Sequence, residues 1–323
     1  MKLRFGRSLD TVYFLFALAI CIAAINTAIV VNAKLLIKKV GKITKVKGGK
    51  IHWVESGQGR PIIMIHGLAG NLRNFTFALT SKLNKEFKVI AIDRAGCGCS
   101  YREDPNYAKL SEQARMIAEF IKAEALERPV IVGHSLGGAI ALTLAFNHRE
   151  TVGALALVCP VTQPIFKIHR VFRALNISKS AMRLLIAYTL APILGALTER
   201  RTLIEVFAPE PVPKSFTTRG GGRASRSPKG FITASEDLVF ALSSSESFIK
   251  LEKELPVPTG ILFGAADHIL DPTLHGENFS AQTGAKLTLI PEKGHMIIVT
   301  APDECAEFIR NIASKIRNIA SKI

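Results

Sequence analysis

The run Pro129-Val130-Ile131-Val132-Gly133-His134-Ser135-Leu136-Gly137-Gly138 decides the fold. Its first five residues are a short apolar stretch that reads as a buried strand. The residues after Gly138 read as a helix through about Asn147. Between the two lies Gly133-His134-Ser135-Leu136-Gly137, which matches G-x-S-x-G in the strand–turn–helix setting that pattern needs. So tight a turn requires small flanking residues, and Gly133, Gly137 and Gly138 supply them. Ser135 is then expected at the carboxyl edge of a sheet, beside a helix amino terminus. A serine in a Gly-rich turn is more often a cap, but the flanking strand and helix argue for a nucleophile.

Outward from this turn, short apolar runs alternate with helical stretches. Strands are expected over residues 51–55, Pro61–Ile65, 89–93, Ala154–Val158, Thr259–Gly264 and 286–291. Helices are expected over residues 75–83 and 110–127. This alternation implies an α/β fold with a mostly parallel sheet and helices on both faces.

A nucleophilic serine needs a base, and the base needs a partner that fixes its tautomer. In this architecture the chain order is serine, acid, histidine. Asp267 follows the strand ending at Gly264, and His295 follows the last strand, so both fall on the edge that carries Ser135. Asp271 is the rival acid, but it precedes Pro272 and suits a helix cap. His268 adjoins Asp267 too closely to reach as its base. His52, His148, His169 and His275 sit in no motif and read as surface or loop residues. The tetrahedral intermediate needs two backbone N–H donors. Leu136 supplies one and Leu68 the other, with Gly67 admitting a close approach and His66 bracing the loop.

With His66-Gly67, Asp93-Arg94-Ala95-Gly96-Cys97-Gly98-Cys99-Ser100, Gly133–Gly138, Asp267 and His295, the chain resembles the α/β-hydrolase fold family over roughly residues 50–310. The second segment is similar to the family's D-x-x-G-x-G-x-S turn. The resemblance implies a serine triad and no metal or organic cofactor. Members with an aspartate nucleophile, the epoxide hydrolases and haloalkane dehalogenases, are disfavoured by Ser135. The architecture is similar to membrane-tethered monoacylglycerol-lipase-like and esterase-like members.

Composition supports a folded, self-sufficient chain. Of 323 residues, 48% are apolar and 21% charged, which excludes a disordered chain. Five cysteines are too few for a disulfide scaffold, and no CxxC suggests zinc or thioredoxin chemistry. The net charge of +16 is uneven. Residues 34–50 hold seven lysines and no acid, residues 160–235 carry +9, and residues 310–323 carry +4. No nucleic-acid-binding motif accompanies this basicity, so no nucleic-acid partner is expected. An anionic membrane surface attracts the same charges.

The membrane reading rests on residues 11–33, which carry no charge. A helix over the gap between Asp10 and Lys34 is roughly 34 Å long, enough for a hydrocarbon core of about 30 Å. Cleavage after Ala33 would make it a secretory signal. Its length and the lysines crowding the mature end favour an uncleaved single-pass anchor. Those lysines also favour a cytoplasmic body, although large translocated domains often ignore that tendency.

The chain thus divides into an anchor or signal (1–33), a basic juxtamembrane segment (34–50), a first core part (51–159), a cap insertion (160–235) and a second core part with the final helix (236–323). Within the cap, residues 165–175 and 180–197 are expected as apolar helices and 219–230 as a loop. The cap reads as an ordinary helical lid or as one that touches membrane lipids and admits an acyl chain. The last fourteen residues repeat RNIASKI, with Ile312, Ile316, Ile319 and Ile323 on one helical face. An extension of the final helix is the simplest account. Together these features point to a serine hydrolase for a carboxylic ester, such as a lipid ester. The alternatives are cleavage of a C–C, amide or lactone bond on the same residues, or a hydrolase-like binding protein.

Overall fold

Runs rich in Ile, Val and Leu, bounded by Gly and Pro, form the strands because branched side chains suit a pleated surface. The computed structural model describes residues 2–35, 40–165, 167–243 and 254–320. Lys38 and Lys39 of the basic segment and Ile323 of the repeat lie outside the described residues. The chain opens with helix α1 (Lys2–Leu35), followed by strands β1 (Lys42–Val46), β2 (Gly49–Ser56) and β3 (Pro61–Ile65). Short helices α2 (Arg73–Thr76) and α3 (Thr80–Leu83) lead to β4 (Lys88–Ile92) and β5 (Tyr101–Arg102). Helix α4 (Leu110–Ala123), β6 (Val130–His134), α5 (Leu136–Asn147) and β7 (Ala154–Val158) follow. The insertion holds α6 (Ser180–Thr189), α7 (Ala191–Phe207), α8 (Phe216–Arg219) and α9 (Pro228–Ser243). The chain then returns through β8 (Thr259–Gly264), α10 (Asn278–Thr283), β9 (Lys286–Ile290), α11 (Ile297–Thr300) and α12 (Pro302–Ala320).

The sheet order is β1-β2-β4-β3-β6-β7-β8-β9, with β5 paired to β2. The β1–β2 and β2–β4 pairs are antiparallel, and the remaining ladders from β4 to β9 are parallel. Strands β6, β7 and β8 are buried at every residue, as a strand covered by helices on both faces must be. This is the mostly parallel sheet that the alternation predicted. Parallel strands all end at one edge, so the loops after β6, β8 and β9 converge there.

Four local differences from the expected elements appear. Lys42–Val46, inside the basic segment, is a strand whose lysines stay exposed while Val46 packs on the core. Among the described residues of 165–175, Arg170–Leu175 winds as a 3₁₀ turn, and Ile165, Ile168 and Phe172 line a cavity. The apolar stretch from Ser180 breaks at Leu190, and the chain turns by 75° into α7, which runs on to Phe207. Pro192 explains the break, since it has no N–H for the carbonyl four residues earlier. Residues 219–230 are not all loop: α8 ends at Arg219, a 3₁₀ turn covers Gly222–Arg226, and α9 starts at Pro228.

Helix α9 runs across the expected boundary at residue 235, and a buried ion cluster on it ties the insertion to the core. Asp237 on α9 meets Arg94 at 2.7 Å and Arg102 at 2.6 Å. Its neighbour Glu236 meets Arg102 at 2.7 Å and Arg183 of α6 at 3.1 Å. At the far end, Ile312 of the first repeat copy is buried and Ile316 packs beside it, so α12 extends onto the core.

Candidate active site

The turn between β6 and α5 holds Ser135 at φ 55° and ψ −122°. That conformation costs a non-glycine residue about 1–3 kcal/mol and persists only where surroundings over-determine it. Here the Ser135 N–H donates to the Val158 carbonyl, and the Ser135 carbonyl accepts from Gly138 and Val161. A Cβ on Gly137 would lie 2.1 Å from the Ile65 carbonyl oxygen, so only glycine lets α5 start against β3. A Cβ on Gly67 would lie 2.9 Å from the Ser135 Cβ, which places the 66–68 backbone directly against the serine. Leu136, the first residue of α5, has an N–H with no intrahelical acceptor. Leu68 and Leu136 both border the cavity into which Ser135 opens.

His295 lines the same cavity. Its Nδ1–H donates to Asp267 Oδ2 at 2.7 Å, which leaves Nε2 as the ring's remaining nitrogen. Asp267 Oδ1 accepts from the Ile269 and Leu270 amides at 2.8 and 3.0 Å. Burial alone would raise the Asp267 carboxyl. The charge and hydrogen bond of His295, with the two amides, outweigh it and hold the group below the ordinary carboxylate range. Asp271 instead accepts from the Thr273 amide and caps the following turn. His268 is exposed.

Two further histidines brace the site in neutral form. Burial first, then Arg94, lowers His66 to about 3. Its Nδ1–H donates to the Gly67 carbonyl, and its Nε2 accepts from the Arg94 amide. Burial first, then His295, lowers His134 to about 3. Its Nε2–H donates to the His295 carbonyl at 3.0 Å, and the two rings lie 4.9 Å apart. Arg94 also donates from Nε to the His66 carbonyl and from a terminal nitrogen to the Gly67 carbonyl, so the loop is clamped from behind.

The cavity is about 100 Å³ and its walls are mostly apolar, including Val161, Ile165, Phe172, Val206, Leu238 and Met296. His169 contributes to the wall, which its place in the sequence did not signal. Its Nδ1 is buried without a partner among the described groups, and burial lowers its pKa. His52 and His275 are not surface residues either. His52 donates to Asp93 Oδ2 at 2.8 Å, and His275 Nδ1 accepts from the Thr162 and Gln163 amides. These partners lie between 41 and 113 positions away, beyond any local pattern.

The Asp93 turn is structural. Asp93 accepts from the Leu72 and Cys99 amides, and Ser100 Oγ donates back to the Asp93 carbonyl. Two clusters bring histidine, aspartate and cysteine within metal-ligand range: His52 with Asp93 and Cys99, and Cys159 with Asp267 and His295. In both, the carboxylate oxygens already accept from protein N–H groups. Burial also pushes the Cys159 thiol well above its usual range. Neither donor set suits a resident cation.

Comparison with known proteins places this geometry. The alpha/beta hydrolase fold family matches residues 60–302. The chain is similar to the 2-hydroxy-6-oxo-6-(2'-aminophenyl)hexa-2,4-dienoic acid hydrolase of Metapseudomonas resinovorans, 34% identical over 37% of this chain and 42% of that protein. The matched stretch spans about two fifths of the curated relatives' length. Among solved structures, an esterase of Thermogutta terrifontis aligns with TM-score 0.66 and 21% identity over 87% of this chain and 99% of its own. A membrane phospholipase A aligns with TM-score 0.67 and 22% identity over 98% of this chain and 100% of its own. At these identities the structural likeness concerns the fold.

Proposed function

This chain belongs to the alpha/beta hydrolase fold family, and from that premise we propose a serine hydrolase that cleaves a carboxylic ester, with lipid esters such as monoacylglycerols as the substrate class. The observation that carries the reading is the Asp267–His295 pair facing the same apolar cavity as the strained Ser135. Ser135 Oγ attacks the ester carbonyl. His295 Nε2 takes the serine proton and gives it to the leaving alcohol. Asp267 fixes the imidazole with its proton on Nδ1 and stabilises the imidazolium. The Leu68 and Leu136 amides hold the developing oxyanion. Water then repeats the cycle on the acyl-enzyme. The apolar walls suit an acyl chain better than a charged leaving group.

In the same reading, α1 anchors the chain, the basic residues that follow face the lipid surface, and the α6–α9 insertion is the lid. The apolar span Asp10–Asn32 has the required length, and almost all of it is exposed. A signal sequence passes the same test. The packing of α1 against α6 and α7 favours a retained helix. The relative that hydrolyses a dienoic acid keeps C–C bond cleavage as a second reading. Labelling with a fluorophosphonate, followed by turnover of p-nitrophenyl esters of rising chain length, tests the proposal. Labelling lost in the Ser135→Ala variant and ester turnover peaking at medium or long chains is the expected result. Absence of labelling in wild type refutes the nucleophile, and labelling without ester turnover turns the reading toward C–C substrates.

A further inference from the structure

The helices α6 and α7 meet in a 75° elbow that packs against α1. Between residues 10 and 32, α1 is exposed nearly everywhere; Ile22, Asn26, Ile29 and Val30 are the covered residues. Their spacing puts them on one helical face, and α1 packs against α6 and α7. At the centre of this contact Asn26, only 6% exposed, donates from Nδ2 to the Tyr188 and Thr189 carbonyls at 3.2 and 2.6 Å. Those carbonyls need a donor. Pro192 offers none to Tyr188, and the 75° break interrupts the helical ladder there. In hydrocarbon an unpaired carbonyl costs several kcal/mol, and broken helices occur there only where protein groups satisfy them.

From this contact we infer that the α6–α7 elbow is sunk in the bilayer alongside α1, so that the lid is itself a membrane-embedded element. The inference rests on α1 being a membrane anchor. Asn26 lies six residues inside the Asn32 end of the span, which is about 9 Å of helix. Tyr188 and Thr189, bonded to Asn26, are therefore carried to the same depth. The elbow surface is fit for it. Residues 184–198 contain no charge, and Leu184, Leu185, Tyr188, Leu194 and Leu197 are all exposed, Leu197 at 73%. The one charge within α6, Arg183, is turned inward onto Glu236. Exposed cations stand at both ends of the apolar surface, Lys179 before it and Arg200 and Arg201 after it, where anionic headgroups would lie. Val206, near the other end of α7, lines the Ser135 cavity. Helix α7 thus runs about 24 Å from the elbow to the site, a route from the leaflet for an apolar substrate.

The test is depth-resolved fluorescence quenching of the full chain in phosphatidylcholine/phosphatidylglycerol vesicles carrying acyl-chain bromines. The single native Trp53 is 2% exposed and gives a constant background. Three probes are added separately: Leu185→Trp on the elbow, Leu15→Trp on α1, and Leu289→Trp on the exposed edge strand β9. The expected result is quenching of the Leu15→Trp and Leu185→Trp probes at least twofold stronger than that of the Leu289→Trp probe. Quenching at Leu15→Trp with none above control at Leu185→Trp overturns the embedded elbow and leaves the anchor standing. No quenching at Leu15→Trp overturns the anchor and the shared depth with it. In an Asn26→Leu background the Leu185→Trp signal should fall by at least half while the Leu15→Trp signal holds; unchanged Leu185→Trp quenching refutes Asn26 as the clamp.

Discussion

Replacing Asp237 by Asn should loosen the lid from the core and cost much of the protein's stability. The carboxylate is fully buried between Arg94 and Arg102, with ion-pair distances of 2.7 and 2.6 Å. Burial alone would raise its pKa, but the two guanidinium charges reverse that and keep it ionised. The amide keeps the shape and removes the charge. Glu236 is then the one acid among Arg94, Arg102 and Arg183 within the described cluster. Breaking a buried pair from one side costs about 3–5 kcal/mol because the partner charges stay buried. Against a total of about 5–15 kcal/mol that is a large share. With an unfolding entropy of about 2.1 cal/mol/K per residue over roughly 270 residues, it corresponds to about 5–9 °C in Tm. Thermal melts of the full chain in detergent micelles, followed by circular dichroism, read this directly. The surface pair of Glu55 with Lys42 and Lys88 is the control, and Glu55→Gln should shift Tm by less than about 2 °C. A Tm for Asp237→Asn within 1 °C of wild type would refute the argument that this cluster fastens the lid.

Ser135→Ala should cut ester turnover by at least about a thousandfold with the melt unchanged, and His295→Ala should be nearly as damaging, since such residues act as a unit. Asp267→Asn should damage kcat far more than Asp271→Asn; the opposite order in steady-state assays would mean the wrong carboxylate was chosen. His66 and His134, each lowered to about 3, are neutral when folded and take up protons on unfolding below pH 6.5. Their stabilisation is therefore complete above pH 6.5 and drains as pH falls toward 3, about 2 kcal/mol each by pH 5. Denaturant titrations of His66→Gln should show a shallower loss between pH 6.5 and 5 than wild type; an equal slope would mean that His66 is not held neutral. The full chain should stay with membranes through high salt and alkaline carbonate, because salt screens the lysines but does not extract a spanning helix; release of a soluble chain beginning near Lys34 would identify a cleaved signal instead.

Much of this protein is written in local pattern. The apolar runs at 61–65, 130–134 and 154–158 are strands because they are short, branched and bounded by turn residues, and no distant contact is needed to see it. The Gly133–Gly138 turn is legible for the same reason, since its steric demand falls on six consecutive residues. Chain order narrows the candidate acid and base to Asp267 and His295, and Asp271, which Pro272 marks as a cap, accepts from the Thr273 amide. What tertiary structure decided lies in groups far apart in sequence. The Arg94–Asp237 pair spans 143 positions and the Asn26–Tyr188 bond spans 162, so no periodicity could link them. His169, His52 and His275 are single polar residues whose burial is set by elements folding over them. The break at Leu190 interrupts what the apolar pattern of residues 180–197 reads as one helix; Pro192 accounts for it, and only packing placed Asn26 where its amide answers the Tyr188 carbonyl. Local pattern determines elements because backbone sterics and hydrophobic period act over a few residues. The pairing of charges and the covering of polar atoms act across the fold, and only the fold displays them.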